Sequence, residues 1–282
     1  MSRYGFPRAY RDLGYRDLGK DSFGNHTSRE KHQLESRTFF VTVAFMRNCF
    51  TNLKLCKDLQ AMIFMESMVD EWVVVNGLKI RYWSNQKLRG LNSKKQTIVF
   101  FHGYSFSLDD WKRIGTLDLM SRLGHMVYAI DLPSGKATMT DKMKGNKKSA
   151  FIPVIEKIFE ALGLRSPKSD PNMVLVGPSM GGGFALSYAL SHPRELAALV
   201  LISPSTKSME DEDTSNLKIP VLLLWGDRDN VFPVDEFGQR LKTKLKNSKL
   251  IIIKNAGHAA YLDKPDEFHE ILTDFLDELA SG

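Results

Sequence analysis

The sequence predicts an α/β domain built on a mostly parallel central sheet flanked by helices. Three observations point there. From about residue 70 onward, short strand-like runs alternate with longer stretches of helical spacing, the pattern that right-handed strand–helix–strand crossovers leave in a sequence. Several of those runs, Thr97–Phe101, Val174–Val176, Leu196–Ser203 and Val221–Trp225, are almost continuously apolar, as strands covered on both faces are. Three residues able to carry chemistry, Ser179, Asp229 and His258, each lie just beyond such a run, where open parallel sheets place their functional loops.

Residues 1–64 read as a non-core extension, and 65–282 as the folded domain. The first 38 residues are polar, broken by glycine, and contain a five-residue direct repeat, Tyr10–Gly14 and Tyr15–Gly19, too short to make a solenoid. The apolar run Phe39–Phe50 is interrupted by Arg47 and falls short of the ~20 residues a membrane span needs, so no stable membrane insertion is expected. Asp12, Asp17 and Asp21 argue against a mitochondrial presequence, and an upstream start is as good a reading of this segment as a targeting role. The extension holds 11 lysines and arginines against 6 aspartates and glutamates, a net +5 of the whole chain's +6. The domain is therefore nearly neutral, and its charge is no argument for nucleic-acid binding. Both cysteines, Cys49 and Cys56, also precede the domain, so no disulfide framework is implied and a cytoplasmic setting is expected.

Within the domain, Trp72–Val75 and Leu78–Trp83 are strand-like runs joined by Asn76-Gly77, a strong hairpin signal. Thr97–Phe101 is the first central strand and ends at His102-Gly103-Tyr104. Leu108–Leu123 has helical spacing, with Asp109 and Asp110 in its first turn. Met126–Ile130 is the next strand, followed by an irregular, lysine-rich stretch, 134–148, that reads as a solvated face. Ile152, Ile155, Ile158, Phe159 and Leu162 mark a helix over Ala150–Leu162 that Gly163 can end. The strand Val174–Val176 leads into a helix from about Gly182 to Leu190. Leu196–Ser203 and Val221–Trp225 are strands, Pro233–Leu245 a helix, Leu250–Ile253 the last strand and Pro265–Leu279 a closing amphipathic helix. Only 16 residues separate Ser203 from Pro220, too few for a sizeable lid.

Gly177-Pro178-Ser179-Met180-Gly181 fits G-x-S-x-G. A strand that turns at once into a helix leaves its serine strained and exposed, and only small residues two places either side allow so close an approach. The five residues alone do not separate a nucleophile from a glycine-rich phosphate turn; the acid and histidine that follow do.

Together with His102-Gly103, Gly226-Asp227-Arg228-Asp229 before Pro233, and Gly257-His258, the chain resembles the α/β-hydrolase fold superfamily over about residues 70–280. The resemblance implies a serine hydrolase cleaving a small carboxylic ester or thioester through an acyl-enzyme. Ser179 would be the nucleophile, His258 the general base and Asp229 the acid that orients it. The pattern G-x-x-D-x-x-x-P selects Asp229 over Asp227, which is expected to bond its own loop. The oxyanion hole would use the backbone N–H groups of Met180 and Tyr104. His102 is expected to brace its loop, and His125, His192 and His269 to be structural or solvated. No cofactor or metal is implied, and the expected partner is a small-molecule acyl substrate. The short Ser203–Pro220 interval, Ser203-Pro204 and Tyr261–Pro265 resemble the small lidless branch related to CCG1-interacting factor B. One departure stands out: Asp131-Leu132-Pro133-Ser134-Gly135-Lys136-Ala137-Thr138 lacks the glycine spacing usual after the fourth strand. A fold-retaining binder without turnover, and a hydrolase of amide or C–C bonds, remain as alternatives.

Overall fold

The computed structural model describes residues 70–86, 95–143, 148–165, 171–206 and 212–281. The extension expected at 1–64 lies outside them, as do Lys144 and Lys147 of the lysine-rich stretch. Among the described residues, eight strands form one sheet: β1 (Glu71–Val75), β2 (Leu78–Ser84), β3 (Thr97–Phe100), β4 (Met126–Ile130), β5 (Met173–Pro178), β6 (Leu196–Ile202), β7 (Val221–Gly226) and β8 (Ser248–Ile253). Their order across the sheet is β1-β2-β4-β3-β5-β6-β7-β8. The β1–β2 and β2–β4 pairs are antiparallel and the others parallel. Asn76 and Gly77 both take positive φ, 50° and 78°, as the two-residue turn between β1 and β2 requires.

Strand periodicity divides the core into two layers. Val174 and Val176 face one side of β5 with Ile98, Val200 and Leu222, while Leu175 faces the other with Val99, Leu199 and Leu223. The first layer is closed by α1 (Leu108–Arg113), α2 (Thr116–Arg122), the short α6 (Ala260–Asp263) and α7 (Pro265–Ser281). The second is closed by α3 (Lys148–Ala161), α4 (Ser179–Ser191) and α5 (Gln239–Lys244).

Three helices differ from the sequence expectation. Leu108–Leu123 is two helices, because Gly115 takes φ 78° and breaks the chain between α1 and α2. Ser107 caps α1 in a reciprocal box with Asp110. The helix after β5 begins three residues earlier than expected, on Ser179 itself. The helix expected over Pro233–Leu245 opens with one wide π turn, Val234–Gly238, which buries Phe237, before α5 begins. The short α6 was not expected; the remaining strands and helices coincide with their expected positions within a few residues.

Since β3, β5, β6, β7 and β8 run in parallel, the loops after all five emerge at one edge of the sheet, with β5 at its centre. Phe101, Ser179, Ser203, Asp229 and His258 all follow strands on that edge.

Candidate active site

Ser179 joins β5 directly to α4 with φ 49°, a conformation that L-residues avoid. The neighbouring glycines are there because nothing larger fits. A Cβ on Gly177 would lie 2.6 Å from the Gly181 carbonyl oxygen, one on Gly181 would lie 2.6 Å from that of His102, and one on Gly182 would lie 2.6 Å from that of Gly177. Gly182 was not distinguished by sequence, although the Gly181-Gly182-Gly183 run was its visible signal. The first turn of the 13-residue α4 thus starts at the serine, where the helix dipole favours negative charge.

The acid and the histidine are brought together by two loops that meet after β7 and β8. Asp227 N–H donates to Ile253 O at 3.1 Å, and Arg228 N–H donates to Ala256 O at 2.9 Å. At Gly226 the loops touch so closely that a Cβ would lie 2.2 Å from Gly257 O and 2.3 Å from Ala256 O. Asp263, in α6, accepts the Gly257 N–H at 2.7 Å and fixes the loop just before His258. The outcome is a single hydrogen-bonded line: Asp229 Oδ2 is 2.9 Å from His258 Nδ1, and His258 Nε2 is 2.9 Å from Ser179 Oγ. Beside an ionised carboxylate, Nδ1 carries the imidazole proton, which leaves Nε2 bare to accept the serine O–H.

Asp229 is buried, which raises its pKa, yet the carboxyl is held below its ordinary value. The opposing causes are hydrogen bonds from His258 and the Phe232 N–H, the nearby Ser203 hydroxyl and the charge of His258. Its Oδ1 accepts the N–H groups of Val231 and Phe232, each at 2.9 Å. The Phe232 ring meets the imidazole edge-on at 5.3 Å between centroids. Asp227 stands outside this line, 3.7 Å from Lys254 rather than bonded to the backbone of its own loop.

The loop after β3 lies beside the serine: a Cβ on Gly103 would be 3.7 Å from Ser179 Cβ. His102 braces it. The Leu132 N–H donates to His102 Nε2 at 2.8 Å, so the proton resides on Nδ1, which donates to Gly103 O at 2.8 Å. Burial lowers the pKa of this ring. Trp111 Nε1 donates to Phe101 O at 2.8 Å and anchors the start of the same loop to α1. Tyr104 is 56% exposed, and its carbonyl accepts the Lys136 N–H at 2.6 Å. That bond ties the loop to the atypical stretch after β4. There Gly135 packs on His102, where a Cβ would lie 2.5 Å from Cε1. Met180 sits in the first turn of α4, with its sulfur 3.3 Å from Ser134 Oγ.

Sequence reasoning missed the ionic support beneath these loops. Buried Arg81 on β2 donates to Asp70, Asp109 and Asp131. Asp131, 0% exposed, also accepts the N–H groups of Leu108 at 2.7 Å and Met139 at 3.2 Å. No spacing in the chain signals this convergence of β2, β4 and α1. Among the described residues, no group of three or more histidines, cysteines, aspartates or glutamates is arranged to hold a metal ion. None of the described helices is long and apolar enough to cross a membrane.

The fold, the strained serine and the placement of the loops define the class, and the chain belongs to the α/β-hydrolase superfamily. Residues 96–218 match the family described as alpha/beta hydrolase fold, and residues 200–280 match the family described as TAP-like protein. The chain is 34% identical to protein ABHD14A of Rattus norvegicus over 183 residues, which span 64% of this chain and 72% of the relative. It is 29% identical to the human protein named "Putative protein-lysine deacylase ABHD14B" over 205 residues, 69% of this chain and 89% of the relative. Among solved structures, the "predicted CIB-like hydrolase" of Thermoplasma acidophilum superposes with a TM-score of 0.65 at 26% identity, covering 74% of this chain and 97% of that one. A thermophilic esterase, at 18% identity and a TM-score of 0.56 over 75% of this chain and 98% of that one, shares the fold.

Proposed function

We propose that the chain is a serine hydrolase that cleaves a small carboxylic ester or thioester through an acyl-enzyme. The observation that carries this reading is the unbroken line from Ser179 Oγ through His258 to Asp229, ending on a serine at φ 49°. A free hydroxyl is a poor nucleophile; as it attacks the substrate carbonyl, His258 Nε2 takes its proton. The buried Asp229 keeps the imidazole in the reactive tautomer and stabilises the imidazolium. The backbone N–H groups of Met180 and Tyr104 stabilise the tetrahedral oxyanion, each donor in such a site contributing on the order of 3 kcal/mol. His258 then returns the proton to the leaving alcohol or thiol. Water, deprotonated in its turn by His258, releases the acid and restores Ser179.

The same chemistry extends to amides, where the leaving amine needs the His258 proton more strongly. A second reading, deacylation of acylated lysine side chains, is favoured by the name of the 29% identical human relative.

Treating the full chain with a fluorophosphonate probe tests the reading. Wild type is expected to label, and Ser179→Ala and His258→Ala are expected to lose labelling by at least about a thousandfold. A well-folded wild type that does not label defeats the proposal. Release of product from p-nitrophenyl acetate, from an acyl thioester and from an acetyl-lysine peptide, compared on one preparation, then separates the two substrate classes.

A further inference from the structure

Four described non-glycine residues take positive φ. Asn76 and Asn255 are asparagines in tight turns, a residue type that tolerates the left-handed region, and Ser179 is the serine turn already described. The fourth, Ser203 at φ 40°, has none of these excuses. It is 0% exposed, and its hydroxyl has no partner within hydrogen-bond distance and angle. A strained and buried position that keeps an unpaired hydroxyl calls for a reason, because alanine would avoid the unpaired polar group.

Its surroundings supply one. Ser203 follows β6 and still pairs with the next strand, its N–H donating to Leu224 O at 3.0 Å. The left-handed turn then drives Pro204 against α4, where a Cβ on Gly182 would lie 2.8 Å from Pro204 Cβ. One residue further, the Ser205 N–H donates to the carbonyl of Ser179 itself at 2.8 Å. The segment is therefore strapped between the serine turn and the strand that leads to Asp229. An aspartate carboxylate offers about four lone-pair directions. Three are taken here, by Val231 N–H and Phe232 N–H on Oδ1 and by His258 Nδ1–H on Oδ2. The Ser203 hydroxyl is near enough to the carboxyl to contribute to holding its pKa down. The other charged groups of these loops are engaged elsewhere, Asp227 beside Lys254, Arg228 on the Asn255 side-chain oxygen and Asp263 on the Gly257 N–H.

We propose that Ser203 is a positioning residue of the Ser179–His258–Asp229 line, its hydroxyl turning onto the open lone pair of Asp229 Oδ2 as the fourth donor and fixing the carboxylate plane against the imidazole. The proposal rests on reading that line as the reactive one. Without the fourth donor, the carboxylate is more basic and freer to rotate. The first effect strengthens its hold on a charged imidazole and moves the acid limb of the reaction upward; the second slows proton transfer from Ser179.

The test is the pH dependence of fluorophosphonate labelling of the full chain, with wild type, Ser203→Ala, Ser203→Gly and Ser203→Cys compared and Ser179→Ala as the blank. Alanine and glycine both remove the hydroxyl, but only glycine takes φ 40° freely. Both are expected to label about tenfold more slowly than wild type, with the acid limb of the profile moved upward by the same amount in each. Cysteine, a weak donor, is expected to fall between them and wild type. Wild-type rates and an unmoved acid limb in both variants overturn the proposal. So does a glycine variant that labels like wild type while alanine does not, which would assign the effect to the backbone. Failure of the underlying reading looks different: wild type does not label at all, or Ser179→Ala labels as well as wild type, and the role of Ser203 falls with it.

Discussion

The line from Ser179 to Asp229 is held by residues whose common property is the lack of a side chain. Gly226 is the sharpest case, since its missing Cβ leaves room for the carbonyl oxygens of Ala256 and Gly257, the two residues before His258. Both obstacles are backbone, so neither can swing aside as a long side chain could. Gly226→Ala is therefore expected to push the His258 loop away from Asp229. It should lower stability by about 2 kcal/mol, typical of an overpacked interior, and reduce fluorophosphonate labelling by about a hundredfold. Urea unfolding and labelling rates on the same preparation check this; a variant that keeps both would show that the two loops separate at little cost. At this scale the sequence was legible wherever a local pattern has a steric cause. Gly177, Ser179, Gly181, Asp229 and His258 were all visible as candidates, because the turn, the acid pattern and the residue after the last strand leave local signatures. Gly135 and Ser203 were not. What fills the space above Gly135 is His102, 33 positions earlier, and what lies near the Ser203 hydroxyl is Asp229 in the loop after β7. No local pattern records such neighbours.

At the level of elements, the strands were the most readable part of the chain. Asn76-Gly77 marks its hairpin by the φ values it must supply, and a strand buried on both faces declares itself by an apolar run. The break between α1 and α2 was hidden because the helical spacing of apolar residues carries across it. Trp111, Leu117 and Met120 all enter the same core layer, on either side of Gly115. The break matters to the site because it leaves α1 short and lets it dock end-on. Its first residue, Leu108, donates its N–H to Asp131, its second, Asp109, takes the Arg81 guanidinium, and Trp111 holds Phe101. Arg81 is thus the rivet between β2, β4 and α1. Arg81→Ala strands the fully buried Asp131 without its cation and is expected to cost about 3 kcal/mol, at the lower end for a broken buried pair because Asp70 and Asp109 reach solvent. Arg81→Lys should recover less than half of that, since a single ammonium cannot spread over three carboxylates as the planar fork does. Denaturant midpoints of the two variants decide the point, and a lysine variant as stable as wild type would show that charge alone suffices. Hydrogen exchange in both is expected to quicken first in 102–109 and 131–140, the loops this rivet holds.

For the molecule as a whole, the distribution of buried histidines sets how stability changes with acid. His102, His125 and His269 all have their pKa lowered, in each case chiefly by burial, and His125 is pushed down to about 4 from an ordinary 6.5. His125 is 4% exposed and its Nδ1 has no partner; burial and the charge of Lys95 outweigh the Gln96 carbonyl and Asp277, which favour a second proton. A folded pKa below the unfolded one means that the unfolded chain binds protons first as the pH falls. The stability these rings contribute is complete above about pH 6.5 and is lost progressively toward pH 4. His125 alone accounts for a loss of about 3 kcal/mol across that interval. The depressed carboxylates, Asp109, Glu160, Glu195, Asp213 and Asp229, act in a lower window, since the stability they contribute is lost only as the pH falls through and below their ordinary values of 3.8 to 4.5. The interval from pH 6.5 to 5 therefore belongs to the histidines. Melting temperatures measured in steps from pH 7.5 to 4.5 are expected to fall continuously below pH 6.5, before the carboxylates begin to titrate. Growing positive charge on an already basic chain acts in the same direction, so the decisive comparison is His125→Gln. Whatever its own stability at pH 7.5, the slope of stability against pH between 6.5 and 5 should be shallower than in wild type. An unchanged slope would move the acid sensitivity from this buried ring to the net charge of the molecule.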